Sequence, residues 1–228
     1  MDMQDNSEIE TVTVTSSQYG IIEAMYDAIS IMKERLGPYS ILFVFSFLLK
    51  AYAIYNANLG DMATDMKIIE AAIVNVLGAV FQSVLILNFF FFALNGLDFK
   101  IKKVLWDIPT YVFFGFLMSL LTVLGFALFV IPGLYVMYFY MALPMVAILF
   151  DQEGESNFKI TKTKVSSLGG TYAIYFVLTM IISGVGTIVT NYAPGTGIPM
   201  GILYISCLIL TLVQDVMAGL VVALFNKA

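Results

Sequence analysis

The chain has no histidine and only one cysteine, Cys207, among 228 residues. Without histidine, a His-ligated metal site and a histidine general base are both excluded. A single cysteine excludes an intramolecular disulfide and offers no pair of thiolate ligands. The paired bases, metal ligands and phosphate-binding motifs that enzymes need are also missing. We therefore expect no metal, no cofactor and no enzymatic activity.

Charge is scarce as well, at 12% of residues against 60% hydrophobic ones, and the mean hydropathy is +0.92. Such a chain has too little polar surface to coat a water-soluble globule, so lipid must be its main solvent. The net charge of -5 would ordinarily argue against nucleic-acid partners, but Asp2, Asp5, Glu8 and Glu10 account for -4 of it, so the acidity belongs to the tail. No nucleic-acid partner is expected. Membrane lipids are the expected partners, and membrane-protein partners or a second copy of the chain remain open.

The first part of the chain divides into two predicted segments. Residues 1–17 are polar, acidic and rich in Ser and Thr, a composition typical of a disordered tail. They lack a basic region and an apolar run, so no cleavable signal is expected. Residues 18–37 place apolar side chains at helical spacing and end at Gly37-Pro38, which predicts an interfacial amphipathic helix. Residues 38–228 are predicted to form the transmembrane domain.

Six apolar stretches approach or exceed the length of about 20 residues that a helix needs to cross a bilayer. They cover residues 39–57, 68–95, 108–131, 134–150, 171–190 and 200–225. The sequence therefore predicts an all-α polytopic membrane protein whose six transmembrane helices form three hairpins. Basic amphipathic segments at residues 97–107 and 156–168 precede the second and third hairpins, so each hairpin is predicted to begin with an interfacial helix.

The cations predict the orientation of the chain. Nine of its 11 cationic residues fall on one predicted side of the spans: Lys33, Arg35, Lys100, Lys102, Lys103, Lys159, Lys162, Lys164 and Lys227. The other side has Lys67 alone, and Lys50 lies within the first span. Cytoplasmic flanks carry the excess of Lys and Arg, so both termini and all three interfacial helices are predicted to be cytoplasmic.

Residues 124–170 have a recognisable order: an apolar helix, Ile131-Pro132-Gly133, an aromatic-rich helix with Pro144, an acidic turn and a short polar helix. This order, with the lead-in EAMYDAISIMKERLGPYSILF, resembles the YciC-like family of bacterial multi-pass membrane proteins. That family resembles in turn the membrane domain of some glycerophosphodiester phosphodiesterases. The chain departs from the pattern at Asn157-Phe158 and Thr161. The resemblance implies six helices and a bacterial cytoplasmic (inner) membrane, and it transfers no activity.

Charged side chains within the spans are candidate functional residues, because a charge at the bilayer centre costs about 2.5–3.5 kcal/mol on insertion scales. Two interpretations are open for Lys50 in the first span and Glu70 in the second. They form an ion pair across the first hairpin, or Lys50 snorkels outward while Glu70 sits in interfacial water.

Gln214 and Asp215 lie in the inner half of the sixth span, and Asn88 in the second span reaches a comparable depth. A carboxylate there is able to bind a cation or relay a proton, and it is equally able to serve helix packing through hydrogen bonds. Pro132, Gly133 and Pro144 bracket a short fourth span. Pro-interrupted short helices mark binding sites in several transporters, whereas a tight turn at Pro132 and a kink at Pro144 explain them without function.

Two functions fit these features. The missing catalytic groups and the few polar residues in the spans favour a non-enzymatic integral membrane protein that serves as a subunit or scaffold of a membrane assembly. The alternative is a small transporter or lipid-handling permease that uses the Pro-interrupted fourth helix and an intramembrane carboxylate. A cavity that reaches Lys50 or Asp215 would favour the second function.

Overall fold

The computed structural model of the protein describes residues 19–59, 65–150, 155–192 and 197–228. Within these ranges, the side chains of residues 57–59, 65–68, 70–72 and 191–192 stand outside the description. The predicted tail, residues 1–17, also lies outside the described residues. Everywhere else the described chain forms helices and short connections, without a strand. The predicted all-α class is thus confirmed.

The described residues form nine α-helices and one π-helical turn, Ile188–Tyr192. In chain order the helices are α1 Ile21–Glu34, α2 Leu36–Leu59, α3 Asp65–Leu94, α4 Ile101–Leu128, α5 Val130–Tyr140, α6 Leu143–Leu149, α7 Asn157–Leu168, α8 Gly170–Thr187 and α9 Met200–Lys227. Six segments are long and apolar enough to cross a membrane, with α5 and α6 together forming one of them. The protein is therefore a multi-pass membrane protein.

Three cations lie at the same end of the bundle, where each ties the beginning of one hairpin to its close. Arg35 Nη1 donates to the carbonyl of Leu97 at 3.3 Å, just beyond the end of α3. Lys103 Nζ donates to Ile148 O at 2.9 Å, and Lys164 Nζ donates to Phe225 O at 2.8 Å. The last carbonyls of a helix have no partner within it and carry partial negative charge, so Lys103 and Lys164 cap the returning helices α6 and α9, whereas Arg35 binds the connection that follows α3. We call this end the basic end.

Helix α1 lies against the half of α9 that leads to the basic end. Its apolar stripe, with Ala24 and Ala28 fully buried, faces the bundle. Gly219 on α9 permits this approach, because a Cβ there would lie 2.8 Å from the Cβ of Ala28. The opposite face of α1 exposes Ile22 and Tyr26, so the helix presents apolar groups both to the bundle and outward.

The interfacial helix predicted at residues 97–107 is not separate from the third span. Instead, α4 runs unbroken through Pro109 to Leu128. Proline removes one backbone hydrogen bond, but no glycine precedes it to end the helix. An ion pair one turn apart, Lys103 Nζ to Asp107 Oδ2 at 2.8 Å, also stabilises the helix just before Pro109.

The turn between α4 and α5 also differs from the prediction. Pro132 and Gly133 were expected to break the chain, whereas the extended residue is Phe129, and both predicted residues lie in the first turn of α5. Proline is tolerated there because its N–H would have no partner. Gly133 instead serves packing: a Cβ at Gly125 would lie 2.8 Å from the Cα of Gly133. The helices meet backbone to backbone.

The core is concentrated near the basic end. Phe90, Val146, Val222, Leu224 and Phe225 are fully buried in a cluster to which α1, α3, α6, α7 and α9 contribute. Among the residues that the structure describes, the opposite half contributes a smaller cluster of Ile54, Leu203 and Cys207. The described core is therefore concentrated at the basic end, which it seals.

Candidate functional site

Lys50 lies in the middle of α2 and points at α9. Its Nζ donates to Gln214 Oε1 at 2.5 Å and to Thr211 Oγ1 at 3.3 Å. Thr211 is available as an acceptor because its own hydroxyl donates to Cys207 O at 2.8 Å. An ammonium group has three donors, so one N–H of Lys50 is left over after these two contacts.

Asp215 is the buried acid of the site, with only 1% of its surface exposed. Its Oδ2 accepts a hydrogen bond from the hydroxyl of Tyr39 at 3.3 Å. Among the described residues, Lys103 pairs with Asp107 and Lys159 pairs with Glu155. Lys50 forms no ion pair with Asp215. Both charges are therefore held by neutral groups rather than by each other.

These residues lie at the same depth. Lys50 is 14 residues from the start of α2 and Asp215 is 12 residues from the end of α9, which is about 21 Å and 18 Å from the basic end. The hydrocarbon core of a bilayer is about 30 Å thick, so both charges belong near its middle. The two charges reach the same level because α2 and α9 run in opposite directions side by side.

Two cavities meet at this level. The first, of about 390 Å³, is lined by both Lys50 and Asp215, and the second, of about 360 Å³, is lined by Lys50 and Cys207. Along α9 the first cavity uses residues 214–221 and the second uses residues 207–214, and the same order holds on α3 and α8. The cavities are therefore stacked along the bundle axis, the first toward the basic end.

The shared wall is a layer of mostly polar side chains. Five residues line both cavities, and we call them the midplane layer: Lys50, Ala79, Gln82, Ser183 and Gln214. They come from α2, α3, α8 and α9. The hydrogen bond from Lys50 to Gln214 lies within this layer, so it separates the two cavities at the middle of the membrane.

The predicted pair of Lys50 and Glu70 stays a prediction. Gly78 is the residue of α3 that packs against the side chain next to Lys50, that of Leu49. Glu70 lies eight residues earlier on α3, about 12 Å along the helix axis. Its side chain is outside the described ones.

Asn88 belongs to a second polar cluster, away from Gln214 and Asp215. Its Nδ2 donates to Val84 O and to Asp107 Oδ2, both at 3.0 Å. Asp107 in turn holds Lys103, which caps α6 at Ile148. This chain of contacts joins α3, α4 and α6 near the basic end, which is a packing role.

The break in the fourth span lies at Met141 and Ala142, between α5 and α6. Pro144 lies two residues after Ala142 and has no N–H to donate to the carbonyl of Tyr140. The backbone hydrogen bonding of the helix is therefore interrupted there. Met141, Ala142 and Pro144 all line the first cavity. The interrupted helix thus forms one wall of the space that contains Lys50 and Asp215.

Sequence reasoning missed several hydroxyl groups of the site. Tyr39 and Thr211 hold the two charges, and Ser183 and Thr190 line the second cavity. Hydroxyl residues are common in apolar helices and carry no charge, so residue type alone does not distinguish them. One signal was available: Thr211 and Asp215 are four residues apart and therefore share a face of α9.

Chemically, the site offers a cation, a carboxylate, amides and hydroxyls in a cavity at membrane depth. Among the residues that the structure describes, no three Cys, Asp or Glu side chains are grouped to hold a metal ion. Outside the spans, burial lowers the pKa of Lys164, the residue that caps α9. Comparisons with protein-family models, with curated proteins and with solved structures find no match for this chain.

Proposed function

We propose that the protein is a small transporter, which moves a polar solute or a lipid headgroup through the two stacked cavities. The observation that carries this proposal is the midplane layer between them. A scaffold has no need of space around buried charges, and it would fill its interior with side chains. Here Lys50 and Asp215 border a cavity of about 390 Å³, a size typical of small-molecule sites.

Two further features support transport. The Pro-interrupted fourth span lines the first cavity, as discontinuous helices do at transporter binding sites. The uneven packing of the described residues also fits a pathway with alternating openings, since the larger core cluster seals the basic end. In this proposal the basic end is cytoplasmic, the solute binds at the midplane layer, and no bond of the solute is made or broken.

Uptake into liposomes that contain the purified protein tests the proposal. The probes are radiolabelled alanine, choline, succinate and glucose, which cover the zwitterionic, cationic, anionic and neutral classes. We expect at least one to enter faster than into protein-free liposomes. Lys50→Met should slow that uptake about tenfold or more, because it removes a charged hydrogen-bond donor from the layer.

Lys162→Met is the matched control, because Lys162 is exposed on α7 and lies outside both cavities. Its uptake should equal that of the unmodified protein. Both variants are first compared by unfolding temperature in detergent, so that misfolding is recognised. Uptake no faster than through lipid alone for all four probes, or full uptake by Lys50→Met, would contradict transport through this layer.

A further inference from the structure

Lys50 and Asp215 border the same cavity with opposite charges and are not paired with each other. In a low-dielectric interior, opposite charges that are free to approach normally form a direct pair, because the attraction is strong there. In this protein neutral side chains hold them in place. Gln214 and Thr211 bind the ammonium group, and Tyr39 binds the carboxylate.

The neutral partners place the two charged groups against different neighbours. The ammonium group of Lys50 lies between Thr211, four residues before Asp215 on α9, and Gln214, the residue next to Asp215. Tyr39 lies in the first turn of α2, so the carboxylate of Asp215 is drawn toward the basic end. Four residues of helix correspond to about 6 Å.

Both charged groups also keep free hydrogen-bonding capacity. Among the described residues, Lys50 has one N–H beyond its two contacts, and the single hydrogen bond of Asp215 comes from Tyr39. Unpaired charges at membrane depth are costly, so a ligand that pairs with both would be strongly favoured over water. A ligand with a single charge would satisfy only one of them.

We infer that the solute of this cavity is a zwitterion, whose anionic group contacts Lys50 and whose ammonium group contacts Asp215. This inference rests on the proposed transport function and names its substrate class. The same chemistry occurs in two sources, a free neutral amino acid and the headgroup of an ethanolamine phospholipid. In both, the ammonium and anionic groups are a few bonds apart. One molecule is thus able to make a charge-assisted hydrogen bond of about 2.8 Å to Lys50 and another to Asp215.

Binding to the full-length protein in detergent tests the free-solute source. Alanine, serine, leucine and phenylalanine are each compared with the amine that lacks the carboxylate and the acid that lacks the ammonium group. We expect at least one amino acid to raise the unfolding temperature, with both singly charged analogues far less effective at equal concentration. This comparison uses the unmodified protein and needs no variant to fold.

Conservative variants then assign the two contacts. Asp215→Asn should weaken zwitterion binding about tenfold or more while leaving the weak binding of the acid analogue unchanged. Lys50→Gln should do the same while leaving the binding of the amine analogue unchanged. Equal loss of all three ligands in both variants would show a structural role and overturn the assignment.

A lipid-binding experiment distinguishes the phospholipid headgroup from the free amino acid. The protein is purified from nanodiscs that contain equal amounts of phosphatidylethanolamine and phosphatidylglycerol, and the lipid retained is measured by native mass spectrometry. Retention of phosphatidylethanolamine that is lost in Asp215→Asn supports the headgroup, whereas a response to amino acids supports the free solute. If neither zwitterion binds while choline, succinate or glucose enters liposomes, the inference fails and transport stands. If no probe binds or enters, transport itself fails.

Discussion

The two charges at the midplane level, Lys50 and Asp215, have a defined set of contacts among the described residues. Lys50 is bound by Thr211 and Gln214, and Asp215 is bound by Tyr39. A central charge costs about 2.5–3.5 kcal/mol on insertion scales, and one hydrogen bond to a charged group returns about 1.5–3 kcal/mol. These contacts are therefore large enough to keep both charges in place without a direct ion pair.

The contact of Tyr39 with Asp215 yields the first prediction. Tyr39→Phe leaves a buried carboxylate without its described donor, so the free energy of unfolding should fall by about 1–3 kcal/mol. Thermal or denaturant unfolding in detergent measures the change. Tyr55→Phe, on the exposed side of the same helix, should have little effect. In an Asp215→Leu background Tyr39→Phe should also cost little, and an undiminished cost there would show that the hydroxyl acts elsewhere.

Lys164 yields the second prediction. Lys164→Met removes a cap from α9 and a cation 4.9 Å above the ring of Phe150, so stability should fall by about 1 kcal/mol. Burial lowers the pKa of Lys164, so between that lowered pKa and 10.5 the unfolded chain holds more protons than the folded one. The unmodified protein should therefore gain stability relative to the variant as pH rises through this range. If the stability difference between the unmodified protein and Lys164→Met shrinks with rising pH, the buried position of the Lys164 ammonium group is contradicted.

The residues of the site could be predicted from the sequence only in part. Lys50, Gln214 and Asp215 stand out because charged and amide groups are rare in apolar helices. Their meeting could not be predicted, because hairpin connectivity pairs α2 with α3 and gives no sign that the first and last spans are neighbours. Because hairpin connectivity makes α2 and α3 neighbours, Glu70 on α3 was the predicted partner of Lys50.

At the scale of elements, the hydrophobic lengths predicted the spans well and the junctions less well. Helix α9, predicted as residues 200–225, runs from Met200 to Lys227. The junctions depend on local chemistry that hydropathy does not report. Gly169 has a φ of +50°, which favours glycine, and it separates α7 from α8 directly after the predicted basic segment, residues 156–168. Phe129, by contrast, is an apolar residue with no signal of a turn.

The crossing of α4 and α5 gives the third prediction. Gly125→Ala would place a Cβ 2.8 Å from the backbone of Gly133, and backbone does not yield as a flexible side chain does. Stability should fall by about 1–3 kcal/mol. Gly115→Ala, on the same helix with nothing within 4 Å, should instead raise it by about 0.5–1 kcal/mol. Equal effects of the two substitutions would show that the helices do not meet as described.

At the scale of the whole molecule, the cations have two roles. Their one-sided distribution predicted the orientation, and the structure adds that Arg35, Lys103 and Lys164 each tie a hairpin closed at the basic end. The same end contains the larger core cluster of the described residues. The sequence could not predict this asymmetry, because it depends on which helices pack together.

The central claim is that two cavities meet at the midplane layer and that, in the proposed alternating pathway, water reaches the second from the side away from the basic end and the first from the basic side when the core there opens. Three positions on α9 test it in a Cys207→Ala background: Leu210→Cys in the second cavity, Ala218→Cys in the first, and Ile209→Cys on an exposed apolar face. Each is treated in liposomes of known orientation with a membrane-impermeant thiol reagent on one side at a time.

The expected result is that the reagent labels Leu210→Cys from the side away from the basic end and Ala218→Cys from the basic side. Ile209→Cys should react from neither side, because it faces hydrocarbon. Labelling of both cavity positions from one side only, or of neither, would contradict the stacked pathway.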